Sequence, residues 1–203
     1  MKTKLVSVNA LILCTLLVGC SAYQPSQIDD VCKIFYGNTD WYKDAHAAKK
    51  RWGMPISLTM AIMRQESSFR PDVRPERPKF LFIPLPRKSS AYGYAQAQDP
   101  AWHDYRKATG NWGHDRDNFT HAINFIGWYG HTSHKRLGIS KSDPYNQYLA
   151  YHEGWGGFSK KSYNKKPQLL KIADSVKRQT YIYNGQLKKC RPGLDKAVKG
   201  WFF

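Results

Sequence analysis

Apolar residues recur along this chain at spacings of three and four, the pattern of helices that bury one face. From Pro55, whose missing N–H costs nothing in a first helical turn, Thr59, Ile62, Met63 and Glu66 fall at i, i+3, i+4 and i+7. A second helix is predicted from Asp99-Pro100, carrying Trp102 and Tyr105 and ending at Gly110. A third follows Asp117, with Phe119, Ala122, Ile123 and Ile126 on its inner face. Asp143-Pro144 opens a fourth, which buries Tyr145, Tyr148 and Leu149 and stops at Gly154. Leu169, Ile172, Ala173 and Val176 form the last stripe, with Lys177 and Arg178 near its C-terminal end. Residues 70–88 are not helix, because Pro71, Pro75, Pro78, Pro84 and Pro86 interrupt them. Inside that segment Phe80-Leu81-Phe82-Ile83 predicts a short strand or a packed flap, against the alternative of a surface excursion with no substrate role. The pattern as a whole predicts a single α+β domain, predominantly helical, with at most a small irregular sheet.

The N-terminus is of a different kind. Lys2 and Lys4 precede a largely apolar run from Leu5 to Val18, too short for a comfortable membrane span, so residues 1–19 are expected to be an export signal. Leu17-Val18-Gly19-Cys20 matches a bacterial lipobox, in which the signal is cut before Cys20 and that cysteine is acylated. Ordinary signal cleavage, or an uncleaved anchor with Cys20 incidental, is the competing expectation. Acyl chains on Cys20 would hold the protein on a bilayer, and Ser21 suits sorting to the periplasmic face of an outer membrane in an enteric-type host. Residues 20–30 are then a short polar tether and residues 31–203 the domain. With Cys14 in the signal and Cys20 lipidated, Cys32 and Cys190 remain, either paired in an oxidising periplasm or as buried free thiols. No Cys and His spacing suits zinc, so no metal or other cofactor is expected.

Charge adds a partner class. Without Lys2 and Lys4 the remainder carries +15 of the formal +17, which favours anionic polymers and anionic surfaces. Nucleic acid would satisfy charge alone, but the chain has no helix-turn-helix, zinc-finger or RNA-binding fingerprint, and an exported lipoprotein does not meet it.

Glu66 continues a buried stripe, and burial disfavours the charged form of a carboxyl group, so this residue is the candidate general acid. The competing reading is a helix-end Glu leaning into solvent. Three blocks bear on the choice: Glu66-Ser67-Ser68-Phe69, Ser90-Ala91-Tyr92-Gly93-Tyr94-Ala95-Gln96, and Ala150-Tyr151-His152-Glu153-Gly154-Trp155-Gly156. In this order they resemble the lytic transglycosylases with the soluble-lytic-transglycosylase (SLT) catalytic domain. The resemblance implies a lysozyme-like fold and action on peptidoglycan glycan strands, without a cofactor and as a monomer. It departs at Tyr94 and Ala95, where the family has Leu and Met, at His152, where it has Asn, and in the inserted 70–88 segment.

What the resemblance implies for chemistry is one carboxyl with two tasks. Glu66 would protonate the glycosidic oxygen between N-acetylmuramic acid and N-acetylglucosamine. It would then take the proton of the muramyl 6-hydroxyl as a 1,6-anhydro ring closes. By motif position Ser67 would orient the site, Gly93 would allow close backbone approach, Gln96 would hydrogen-bond substrate, and Tyr151 would lie over Glu66. Tyr94 and Trp155 are candidates for the groove wall, as aromatic faces stack on sugars. Glu153 is the candidate second carboxylate of a hydrolytic, lysozyme-like muramidase, with Asp72 and Asp99 reading as turn or cap residues beside prolines. A noncatalytic wall-binding lipoprotein is the alternative of another class.

Overall fold

In a computed structural model, residues 22–199 are described; residues 1–19, expected to be an export signal, and Cys20 and Ser21 lie outside them. The elements are α1 (Val31–Gly37), α2 (Thr39–Trp52), α3 (Ile56–Ser67), a β1–β2 hairpin (Lys79–Phe80 and Ile83–Pro84), α4 (Asp99–Thr109), α5 (Phe119–Leu137), α6 (Pro144–Ser159), a 3-10 turn (Ser162–Lys165) and α7 (Pro167–Lys199). Helix dominates, as expected from the spacing, and the sheet is one antiparallel ribbon pairing Lys79 with Pro84 and Phe80 with Ile83.

Helix α3 lies at the centre. Every residue from Ile56 to Met63 is buried, because the helix is covered by α7, α5 and α2. A helix that is apolar all round can only be stable with neighbours on all sides. Ser57, Thr59 and Ser67 are its buried polar members; Thr59 Oγ1 donates to the Ile56 carbonyl at 3.1 Å and Ser67 Oγ to the Met63 carbonyl, so burial leaves neither hydroxyl unmet. Around it runs an aromatic layer. Trp41 stacks on Phe119 at 3.9 Å, and Tyr94 meets the edges of both.

Boundaries differ from expectation at three places. Asn118, not Asp117, caps α5 by accepting from the His121 N–H, while Asp117 accepts from the Tyr92 hydroxyl at 2.9 Å. Asp99 sits inside α4, with Gln98 at the cap, and its carboxylate pairs with Arg116 at 2.8 Å. Gly154 does not end α6: it takes φ 72° and ψ 163°, bends the helix, and the chain resumes helical geometry to Ser159. The last helix runs on to Lys199 through Pro192, burying Tyr183, Leu187 and Leu194.

Residues 23–30 lie against the domain. The Tyr23 ring packs edge-on against Trp41 and its hydroxyl donates to the Ile34 carbonyl at 3.1 Å. Pro25 is buried, Asp29 pairs with Arg64, and the Tyr183 hydroxyl donates to the Ile28 carbonyl. Cys32 and Cys190 form a disulfide across a Cα separation of 6.0 Å, fastening α1 to α7 over 158 residues of chain. Closing so long a loop stabilises by about 5 kcal/mol in the chain-entropy account. Among the described residues no helix is long and apolar enough to cross a membrane.

Candidate active site

Glu66 occupies the last turn of α3. Beyond it Ser68 and Phe69 both adopt positive φ, 53° and 61°, which side-chain-bearing residues take up only under constraint. The constraint is burial: Phe69 is fully enclosed against Trp41, so the chain must turn sharply out of the helix. That turn carries Val73 to the second block, where its carbonyl accepts from the Gly93 N–H at 3.0 Å and from Gln96 Nε2 at 2.9 Å. Gly93 has φ 74°, and a Cβ on it would stand 2.1 Å from the Arg116 carbonyl oxygen. Its close approach is thus to this protein's own backbone. Gln96 also has positive φ, 46°, and directs its amide nitrogen to the Val73 and Gly93 carbonyls.

Between this block and α6 opens a cleft of about 450 Å³. Glu66 forms part of its floor; Gln96, Ala97 and Gln98 form one wall; Phe125 and Tyr129 of α5 with Tyr151, His152, Glu153 and Gly154 of α6 form the other. The kink at Gly154 lets one helix present both its tyrosine layer and the turn beyond to the same opening. Of the residues singled out by sequence, the cleft gathers Glu66, Gln96, Tyr151 and Glu153. Ser67 is buried with its hydroxyl donating to the Met63 carbonyl at 3.3 Å. Tyr94 is in the aromatic core, 2% exposed, and Gly93 is in the turn behind Gln96. Trp155 stacks on Tyr129 at 4.7 Å, donates from Nε1 to Ser133 Oγ at 2.9 Å, and carries the Arg136 guanidinium over its ring, outside the cleft lining.

The two carboxylates of the cleft have opposite acidities. Burial in the ring of tyrosines pushes Glu66 up to about 7, and a hydrogen bond with Tyr148 pulls part of the way back. Glu153 is also enclosed, its side chain 3% exposed. Burial would raise its pKa, but Lys166 Nζ at 2.7 and 3.0 Å, the Ser162 hydroxyl and His152 Nδ1 at 3.1 Å outweigh that and bring it to about 2. Near neutral pH one group exchanges a proton readily and the other is a fixed anion within an ion pair.

Tyr148 is the residue that sequence reasoning missed. It is 2% exposed, and its placement one turn before Tyr151 on α6 puts it against Glu66, where i and i+3 share a face. The signal is present in the sequence: Tyr148 lies in the stripe that the spacing buries, and a buried tyrosine hydroxyl needs a hydrogen-bond partner. The Tyr151 hydroxyl itself donates to the Ala95 carbonyl at 2.6 Å, tying α6 to the second block across the cleft, while its ring stays close enough to Glu66 to feel the charge. Among the described residues no group of three His, Cys, Asp or Glu side chains is placed to hold a metal ion.

An open groove lined by a carboxyl whose pKa is raised toward neutrality is suited to acid–base chemistry on a bound substrate. The chain matches the family model described as "Transglycosylase SLT domain" over residues 8–190, and it belongs to that family. Its fold is accordingly the predominantly helical, lysozyme-like single domain of these proteins, and its general class is lytic transglycosylase acting on peptidoglycan. No protein among the curated ones matches the chain.

Proposed function

We propose that this protein cleaves the β-1,4 bond between N-acetylmuramic acid and N-acetylglucosamine without water, leaving a 1,6-anhydro sugar, with Glu66 as the general acid and then the base. One observation carries the proposal: among the described residues the cleft is lined by two carboxyl groups, of which Glu66 has a pKa near neutrality, at about 7, while Glu153 is tied up in an ion pair. A hydrolase of two carboxylates needs the second one free to act as base or nucleophile. With Glu153 sealed, the attacking oxygen is best supplied by the substrate.

In this sequence of events Glu66, protonated, donates to the leaving glycosidic oxygen as the C1–O4 bond breaks and positive charge grows at C1. The muramyl N-acetyl group assists at C1, as the family resemblance implies. The 6-hydroxyl oxygen then bonds to C1, and its proton passes to the Glu66 carboxylate, which restores the acid. Tyr148 holds the carboxyl in place, and Gln96, whose amide nitrogen is committed to backbone, offers its side-chain oxygen to substrate. We further propose export through residues 1–19, acylation at Cys20, and work as a lipid-anchored monomer on the periplasmic face of an outer membrane. The lipobox wording and the positive charge of the chain support this.

Mass spectrometry of isolated sacculi digested by the purified protein tests the chemistry. Anhydromuropeptides are expected. Reducing muramyl ends would transfer the protein to the hydrolytic muramidases, and sacculi left equally intact by wild type and Glu66→Gln would remove it from the enzymes altogether.

A further inference from the structure

The 70–88 segment presents a surface that the cleft chemistry does not use. The tip of the β1–β2 hairpin exposes Phe80 by 66%, Leu81 by 77%, Phe82 by 95% and Ile83 by 64%, with Leu85 at 41% just beyond it. Elsewhere among the described residues, exposed large apolar side chains adjoin only as the pair Tyr181 and Ile182 on α7. Phe80 and Ile83 are cross-strand partners and share one face of the ribbon, Lys79 and Pro84 occupy the other, and Leu81 and Phe82 form the turn between the strands; all six are exposed. Behind the tip stand Arg77, Lys79, Arg87 and Lys88, all exposed, with Glu76 as the lone acid between Arg74 and Lys88.

The hairpin has a firm base. Leu85 N–H donates to the Pro78 carbonyl at 2.8 Å, and Arg87 Nε donates to the Pro75 carbonyl at 2.9 Å. The Arg74 guanidinium lies 3.7 Å over the Tyr92 ring, and the neighbouring Val73 carbonyl is bonded to Gly93 and Gln96. Pro75, Pro78, Pro84 and Pro86 limit the ways the stem can fold back and hide its tip.

We propose that this hairpin docks on an anionic lipid bilayer, its tip entering the acyl region and its basic collar resting at the phosphates. Two features select a bilayer over a protein partner. The four apolar side chains from Phe80 to Ile83 cap the end of the ribbon and are all more than half exposed, so they suit end-on entry into a leaflet, whereas a protein groove would seat only the face that Phe80 and Ile83 share. The order of chemistry along the hairpin, apolar at the end and cationic behind it, repeats the order of depth in an anionic leaflet. The contact is noncovalent and independent of the glycan reaction. It would orient the domain on the membrane rather than merely tether it.

The test uses the full chain reconstituted into vesicles of phosphatidylethanolamine and phosphatidylglycerol that contain a lipid with a photoactivatable acyl chain, followed by peptide mapping of adducts. Adducts are expected on residues 80–85. Their yield should drop at least about threefold in pure phosphatidylcholine, or at high salt, because each Lys or Arg near an anionic surface is worth about fivefold in affinity. Leu81→Ser combined with Phe82→Ser should abolish these adducts while leaving the circular dichroism spectrum and digestion of isolated sacculi unchanged, as neither side chain is packed or lines the cleft. Adducts confined to the N-terminal peptide would overturn the proposal. So would equal hairpin labelling in anionic and zwitterionic lipid, or hairpin protection that needs added sacculi or a second copy of the chain.

Discussion

Glu66 and Glu153 line one cleft and are both largely enclosed by protein, yet their acidities lie about five units apart. Burial acts on both in the same direction. The difference comes from what each oxygen meets. Around Glu66 are Tyr148 and the rings of Tyr129 and Tyr151, which bring one hydrogen bond and no cation. Around Glu153 are an ammonium, a hydroxyl and an imidazole, all donating. Enclosure alone therefore does not make a catalytic acid; enclosure without a counter-charge does. Glu153 serves instead to hold the region after the Gly154 bend, because Lys166 and Ser162 come from the turn that leads into α7.

Substitutions that remove one carboxyl at a time should separate the two roles. Glu66→Gln is expected to lower sacculus digestion by about a thousandfold, within the range of lost general acid–base catalysis, with no loss of fold. Glu153→Gln should stay within about tenfold of wild type in the same turbidity assay, because it takes no part in proton transfer. Stability should show the reverse. Lys166→Met leaves an enclosed carboxylate short of its cation and is expected to cost about 1 kcal/mol in denaturant unfolding at pH 7, because the half-exposed Lys166 is screened by solvent. Because the folded pKa of Glu153 is lowered to about 2, its contribution is present above the ordinary carboxylate value and fades as pH falls through about 2. The gap between wild type and variant should narrow over that acid range.

Glu66 carries the opposite sign. Its folded pKa is raised, so wild type is at no disadvantage below about pH 4.5 and loses stability as pH rises through about 7. Glu66→Gln should match wild type near pH 4 and exceed it by about 2 kcal/mol at pH 8, the groove opening having been allowed for. The smallest effect is expected from Tyr148→Phe. Its hydrogen bond favours the ionised form, so its loss should move the alkaline limb of the kcat/KM profile upward by less than about one pH unit and slow turnover by about threefold.

Much of this was written in local spacing. The stripe of Thr59, Ile62 and Met63 led to Glu66, and the Pro100 and Pro144 starts fell within a residue of the helices they open. The length of α7 is less plain: beyond Val176 the stripe continues through Thr180, Tyr183, Leu187, Cys190 and Leu194, but Pro192 and two glycines interrupt a pattern that tertiary packing enforces. The helices at Val31–Gly37 and Thr39–Trp52 carry their own stripe of Ile34, Phe35, Trp41, Tyr42 and Ala45. Placement across the cleft was harder. Whether Tyr94 faces core or groove depends on Trp41 and Phe119, distant in sequence, and whether Glu153 is free depends on Lys166, thirteen residues further along. Periodicity says which face is buried, not which partner waits there.

The direct measurement is a carbon-13 NMR titration of the glutamate side-chain carboxyls in the intact protein, with Glu66→Gln and Glu153→Gln spectra to assign the two signals. The account predicts that the Glu66 signal titrates near 7 and that the Glu153 signal stays ionised until about pH 2. A Glu66 midpoint at the ordinary value near 4.5, or a Glu153 midpoint above it, would contradict the assignment of one acid and one locked anion on which the chemistry rests.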